Sequence, residues 1–235
     1  MAKLYAGTSG YAYPTWKPGF YPEDLPSSRF LQHYAGRLTC VEINYTFRHM
    51  PSEKTAAAWA AATPPGFAFA LKMHQRVTHA NRLKEGARDS LDYFVRALGP
   101  LRDAGRLGPV LVQVPPNLRA DPDRLARFLD WLPGDLRFAF EFREASWFTE
   151  EVYDLLRAHD AALCVADSES LTVPDVVTAG FAYYRHRLPQ YDELALRRMR
   201  GRADELITEG RDVYVLFKHE DDPGGALEAE RLLAA

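Results

Sequence analysis

The feature that most constrains this chain is a regular alternation of short apolar runs with helical stretches. About eight runs rich in Val, Ile, Phe, Tyr, Leu or Ala recur along its 235 residues, at 4–8, 40–43, 67–71, 110–114, 138–142, 161–166, 181–184 and 213–217. Strands that alternate with helices read as parallel α/β structure. Most of the runs carry or meet a polar residue at their far end: Ser9, Glu42 and Asn44, Lys72, Gln113, Glu141 and Arg143, Asp167, Arg185, and Lys218 with His219. In a TIM-type barrel those ends share one face, the face on which such barrels build their sites. The length is near the roughly 250 residues typical of that fold. The expectation is a single-domain TIM-type (β/α)8-like barrel over residues 1–235, regular or as an irregular variant. An open doubly wound sheet would place a Gly-rich phosphate loop and a helix after the first strand. Gly7-Thr8-Ser9-Gly10 is too short for that loop, and Tyr11-Ala12-Tyr13-Pro14 follows it.

Helical periodicity and end signals fill the intervals. Asp121 and Pro122 open a helix over 122–131, with Leu125, Phe128, Leu129 and Leu132 on one face. Ser52 caps 53–62 and Thr149 caps 150–159; the patterns at 88–98, 192–207 and 224–235 read as helices too. The strand-to-helix segments 9–28 and 72–85 are long, which marks functional loops in a compact domain. With 47% hydrophobic residues the chain can bury a large core, and a formal net charge of −3 argues against general nucleic-acid affinity. Cys40 and Cys164 fall within expected strands and read as small buried hydrophobes. No apolar run is long enough for a membrane span, and the first strand leaves no room for a leader. The expected setting is cytoplasmic, with no membrane partner.

Strand alternation selects the candidate site. Glu42 and Asn44 share a side opposite Val41 and Ile43, and Glu141 shares a side with Arg143. If Val41 and Ile43 face the helices, the polar set faces the barrel interior. There Glu141 and Arg143 form an ion pair or the arginine grips an anion in bidentate fashion. An interior carboxylate can have a raised pKa and serve as general acid or base, so Glu141, Glu42 and Asp167 are the catalytic candidates. Lys72, Arg143, Arg185, Asn44, Gln113, Lys218, His219 and His79 are the ligand-binding candidates. Tyr11, Trp16 and Trp147 join them as rings that either stack on a ligand or pack the loops. The mouth is mixed and slightly cationic, suited to a phosphate or carboxylate. Glu, Asp and His are metal-ligand types, but no short spacing fixes a divalent site, and no cofactor is expected. The basic cluster Arg197, Arg198, Arg200 and Arg202 reads as a solvated helix face.

Several segments together resemble the DUF72 family, also called YecE-like proteins. They are Gly7-Thr8-Ser9-Gly10-Tyr11 with Trp16 and Phe20-Tyr21-Pro22, Val41-Glu42-Ile43-Asn44 with Thr46-Phe47, Phe67, Phe69, Lys72 and Thr78-His79, Gly108-Pro109 with Gln113 and Pro115-Pro116, Phe140-Glu141-Phe142-Arg143 with Ser146-Trp147, and Tyr183 with Arg185. The resemblance implies a TIM-type barrel and leaves the chemistry open. This chain departs from the family's common pattern at Arg48, Glu144, Arg187-Leu188 and Lys218-His219. The leading functional expectation is binding of a phosphate-bearing small molecule or nucleic-acid fragment at the C-terminal mouth, with phosphoester hydrolysis as the reaction. The alternatives are a non-catalytic anion-binding protein and a nucleic-acid-binding protein.

Overall fold

The computed structural model describes residues 1–167, 171–218 and 222–235. Eight parallel strands close into one barrel in sequence order, the eighth returning to pair with the first. They are β1 (Leu4–Ser9), β2 (Cys40–Ile43), β3 (Ala68–Lys72), β4 (Leu107–Gln113), β5 (Phe138–Glu141), β6 (Ala162–Ala166), β7 (Phe181–His186) and β8 (Asp212–Phe217). Every run expected as a strand is one. Most bounds match or move by a single residue, and two strands differ by more for physical reasons. β7 continues through Arg185 and His186, which stay in register with Leu216 and Phe217 of β8. A charge usually ends an apolar strand, but Arg185 is neutralised inside the barrel. β4 begins earlier and takes in Gly108 and Pro109, and its register with β3 shifts between Phe69 and Leu71. Pro109 has no N–H to give the ladder, which suits an irregularity there.

The helices are α1 (Phe30–Ala35), α2 (Glu53–Ala61), α3 (Arg88–Ala97), α4 (Gly99–Asp103), α5 (Pro122–Leu129), α6 (Glu150–Ala158), α7 (Glu193–Thr208) and α8 (Gly224–Ala234). Ser52, Asp121 and Thr149 cap α2, α5 and α6 through their side-chain oxygens, as expected. Two helices, α3 and α4, separate β3 from β4. Between β6 and β7, the described residues 171–180 contain no helix. That stretch is anchored by the Thr178 hydroxyl, which donates to the Ala161 carbonyl at 2.7 Å and accepts from the Leu163 amide at 2.8 Å. The barrel is therefore of the irregular kind.

The alternation along each strand separates two cores. Val41, Ile43, Val110, Val112, Phe138 and Phe140 point outward and pack under the helices. Inside, Cys40, Ala70, Ala139 and Cys164 are small and leave room for Phe181, Tyr183 and Tyr214. Both cysteines are free fillers of this interior, and burial pushes their thiols up. Gly7 is needed where β1 meets β2. A Cβ there would lie 1.8 Å from the Cys40 carbonyl oxygen and 2.8 Å from the Tyr34 hydroxyl. That hydroxyl accepts from the Thr8 amide and donates to the Cys40 carbonyl, tying the two strands together. Gly7→Ala is expected to cost about 3 kcal/mol or more, because backbone rather than a flexible side chain must move. A urea midpoint unchanged from wild type would refute this.

Candidate functional site: a cationic mouth

At the C-terminal end of the barrel the interior changes from apolar to charged. Glu42, Glu141 and Arg185 are 0%, 1% and 2% exposed. Arg185 from β7 reaches between the two carboxylates, donating to Glu42 at 2.6 Å and to Glu141. Glu42 also accepts from the Ser9 hydroxyl and from the Tyr183 hydroxyl, each at 2.8 Å. Glu141 also accepts from Gln113 at 2.9 Å and from Arg187 at 2.7 Å. The inward side of Glu42 and Glu141 follows from Val41, Ile43 and Phe140 facing the helices.

The raised pKa expected of an interior carboxylate is not what this geometry gives Glu141. Burial does work to raise it, but the Arg185 and Arg187 guanidiniums and the Gln113 amide outweigh burial and hold it at about 2. Nor does Glu141 pair with Arg143. Its two arginines come from β7 and the residue just beyond, and Arg143 lies past the end of β5, exposed at the rim.

Above this layer opens a cavity of about 430 Å³ whose wall includes Arg48, Lys72, Arg143, Arg185, Arg187 and Lys218, with Asn44 and Gln113. Among the described residues no carboxylate lines it. The two buried carboxylates offset Arg185 and Arg187. Arg48, Lys72, Arg143 and Lys218 have no ion-pair partner among the described residues. The Lys72 ammonium lies 4.3 Å from the centre of the Phe47 ring. Its pKa is pushed down to about 8, first by burial and then by the Arg185 guanidinium, against an opposing pull from Glu42 and Glu141. The Nε–H groups of Arg185 and Arg187 and the Asn44 Oδ1 are buried without a hydrogen-bond partner among the described residues.

Lys72, Arg143, Arg185, Asn44, Gln113 and Lys218 thus meet at one cavity, as strand-end logic expected. His79 lies beside it, its ring edge on Phe47, and its pKa is lowered by burial, Lys72 and Arg143. Asp167 lines a small side cavity of about 100 Å³ with Glu141, Arg143 and Arg187. Burial opposes its charge, but hydrogen bonds from His186 and Tyr191 hold its pKa down, so it orders the segment after β7. Tyr11 lines a cleft of about 270 Å³ with Tyr13, Tyr45 and Trp59, and that cleft shares Asn44 and Tyr45 with the cationic cavity.

Trp16 and Trp147 are placed elsewhere. Both are 0% exposed. Trp16 packs against Phe20 and Tyr21, and Trp147 stacks on Phe142 while donating to the Leu118 carbonyl. They hold loops onto the barrel and do not reach the cavity. His219 lies outside the described residues. Arg48 and Arg187 were not among the expected site residues, although both mark departures from the family's pattern. Arg187 carried a usable signal, since residues two apart in an extended segment face the same way, and Arg185 was already placed inward. Among the described residues no group of three or more His, Cys, Asp or Glu could hold a metal ion.

Fold and mouth define a TIM-type barrel with a cationic C-terminal face. The chain belongs to the DUF72 family, described as a protein of unknown function, whose model matches residues 5–235. It is 24% identical to the UPF0759 protein YunF of Bacillus subtilis, over 98% of this chain and 93% of that protein. It is 27% identical over 149 residues to the UPF0759 protein YecE of Escherichia coli K12, which covers 63% of this chain and 51% of that protein. The crystal structure of a DUF72 family protein from Thermotoga maritima is similar with a TM-score of 0.87 at 28% identity, over 99% of this chain and 98% of that one.

Proposed function

We propose that the mouth binds a phosphate-bearing small molecule. The observation that carries this is the 430 Å³ cavity with six cationic side chains and, among the described residues, no carboxylate on its wall. Like charges crowded into a concave, partly dry space repel one another, and a ligand of opposite sign relieves that repulsion. Guanidiniums in particular match the oxygens of a phosphate in bidentate fashion. The volume lies within the range of small-molecule sites. The adjoining aromatic cleft suits an apolar or ring-bearing part of the same ligand.

The carboxylates support a binding role over phosphoester hydrolysis by general acid–base catalysis. A group that titrates at about 2 and already accepts from three side chains carries protons poorly near neutral pH. Glu141 and Glu42 instead aim the arginines. We further place the chain with the YecE-like proteins, on the matched 149 residues, and in the cytoplasm, on its two free cysteines.

Calorimetric titration with inorganic phosphate and pyrophosphate tests the reading. Arg143 is exposed and has no ion-pair partner among the described residues, so Arg143→Ala is expected to fold normally and weaken binding about tenfold, or about 1.4 kcal/mol. Affinity for neither anion, or an affinity that Arg143→Ala leaves unchanged, would refute it. Turnover of a phosphoester that Glu141→Gln abolishes without loss of binding would restore the hydrolase reading.

A further inference from the structure

Lys72 differs from the other cations of the mouth. It is the last residue of β3, held in register opposite Leu111 of β4. Its carbonyl accepts from the buried Thr46 hydroxyl at 2.7 Å, which fixes the strand end. The side chain is thus presented from a rigid element rather than a loop. Its stem is largely buried, its amino group meets the face of Phe47, and no carboxylate is within ion-pair distance among the described residues. Arg185 and Arg187 stand near enough to oppose its charge. Burial and neighbouring cations are the two conditions that convert a lysine from a charge into a nucleophile. With a pKa at about 8, roughly a tenth of the side chains carry the free amine at pH 7.

We propose that Lys72 is a nucleophile that forms an imine with a phosphorylated aldehyde or ketone, whose phosphate is held by Arg143, Arg187 and Lys218. This rests on the anion-binding reading and adds the reacting group and the class of substrate. The lone pair of Nζ adds to the carbonyl carbon. The C–N bond forms, the carbonyl π pair moves to oxygen, and one nitrogen proton is transferred to that oxygen. The carbinolamine then expels its hydroxyl group, which leaves as water with the second nitrogen proton as C=N forms. Amine and carbonyl give imine and water, with no oxidant or reductant. The cationic wall favours the oxyanion that develops in the addition step. The Phe47 ring covers one side of the nitrogen and limits access of water to the imine.

Pyridoxal 5′-phosphate serves as a phosphate-bearing aldehyde probe, with the adduct trapped by cyanoborohydride and located by peptide mass mapping. The expected result is a single adduct on Lys72, at least tenfold above Lys218, which lines the same cavity but is exposed. Inorganic phosphate competes, and pyridoxal without its phosphate labels at least tenfold less. The labelling rate rises with pH to a plateau just above about 8, whereas an ordinary lysine continues to gain up to about 10.4. Labelling shared between Lys72 and Lys218, or absent from Lys72, overturns the proposal. If inorganic phosphate still binds calorimetrically in that case, the anion site itself stands. Equal labelling by the two aldehydes overturns the phosphorylated-substrate assignment. Lys72→Arg, which keeps the charge but has no primary amine, is expected to lose the adduct.

Discussion

Arg185→Met is expected to cost about 3–5 kcal/mol at pH 7, the range for breaking a buried ion pair from one side. Against a typical total stability of about 5–15 kcal/mol, that leaves a marginal or unfolded barrel. Methionine fills much of the volume, so the cost is electrostatic. Glu42 keeps Ser9 and Tyr183, and Glu141 keeps Gln113 and Arg187, but Glu42 loses its cation. The triple variant Arg185→Met, Glu42→Gln, Glu141→Gln removes every charge of the central triad. It is expected to recover to within about 2 kcal/mol of wild type, since replacing a buried ion pair with neutral groups is often nearly free, and Arg187, which loses Glu141, is itself partly exposed. Urea midpoints at constant m-value decide this. A single variant as stable as wild type, or a triple variant no better than the single, would contradict it.

The pH dependence gives an independent check. Glu141 titrates at about 2 in the folded state against 4.5 unperturbed. A depressed carboxylate stabilises above its unfolded pKa and loses that contribution as pH falls through the folded one. The window is therefore pH 4.5 down to 2, and the amount is on the order of 3 kcal/mol. In Arg185→Met the main cation opposing burial is gone, so Glu141 protonates at higher pH and relieves its own penalty. The stability gap between variant and wild type should thus shrink from pH 7 to pH 3. A gap that stays constant would mean that Arg185 acts by packing.

Particular residues show what was legible in the sequence. The strands were, because a buried parallel strand has few ways to look other than as a short apolar run. The inward direction of Glu42 and Glu141 was legible as well, because a period of two leaves no other side for them once Val41, Ile43 and Phe140 face the helices. Their partner was not. Residues 42, 141 and 185 meet only after the barrel has closed across its interior, so chain distance carries no trace of the contact. Local spacing pointed to Glu141 with Arg143, but Arg143 projects at the rim while Arg185 fills the axis. The rings failed for a related reason. Trp16 and Trp147 stand on segments that border the mouth, and the direction in which such a segment folds is decided by tertiary contacts. Here these are Phe20 and Tyr21 for Trp16, and Phe142 and the Leu118 carbonyl for Trp147.

Lys72→Met is expected to make the barrel more stable and less able to bind. The wild-type lysine titrates at about 8 when folded against 10.5 unperturbed. Between those values the unfolded chain binds more protons, so stability rises with pH, and below 8 the full deficit of holding a charged Lys72 is present. Methionine removes that deficit, keeps an unbranched stem, and can set its sulfur against Phe47. Because Lys72 is partly solvated, the gain at pH 7 is discounted to about 1–2 kcal/mol. It should disappear as pH approaches 10.5, where the lysine is neutral in both states. Phosphate affinity should meanwhile fall about tenfold or more, because one of the four cavity cations without an ion-pair partner among the described residues is gone. A lysine retained for structure would show the opposite sign, with lower stability in Lys72→Met at every pH. Thermal denaturation across pH 6 to 11, run with and without inorganic phosphate, separates the two. Higher intrinsic stability with a smaller phosphate-induced shift would identify Lys72 as a charge the fold holds at a cost, for its ligand.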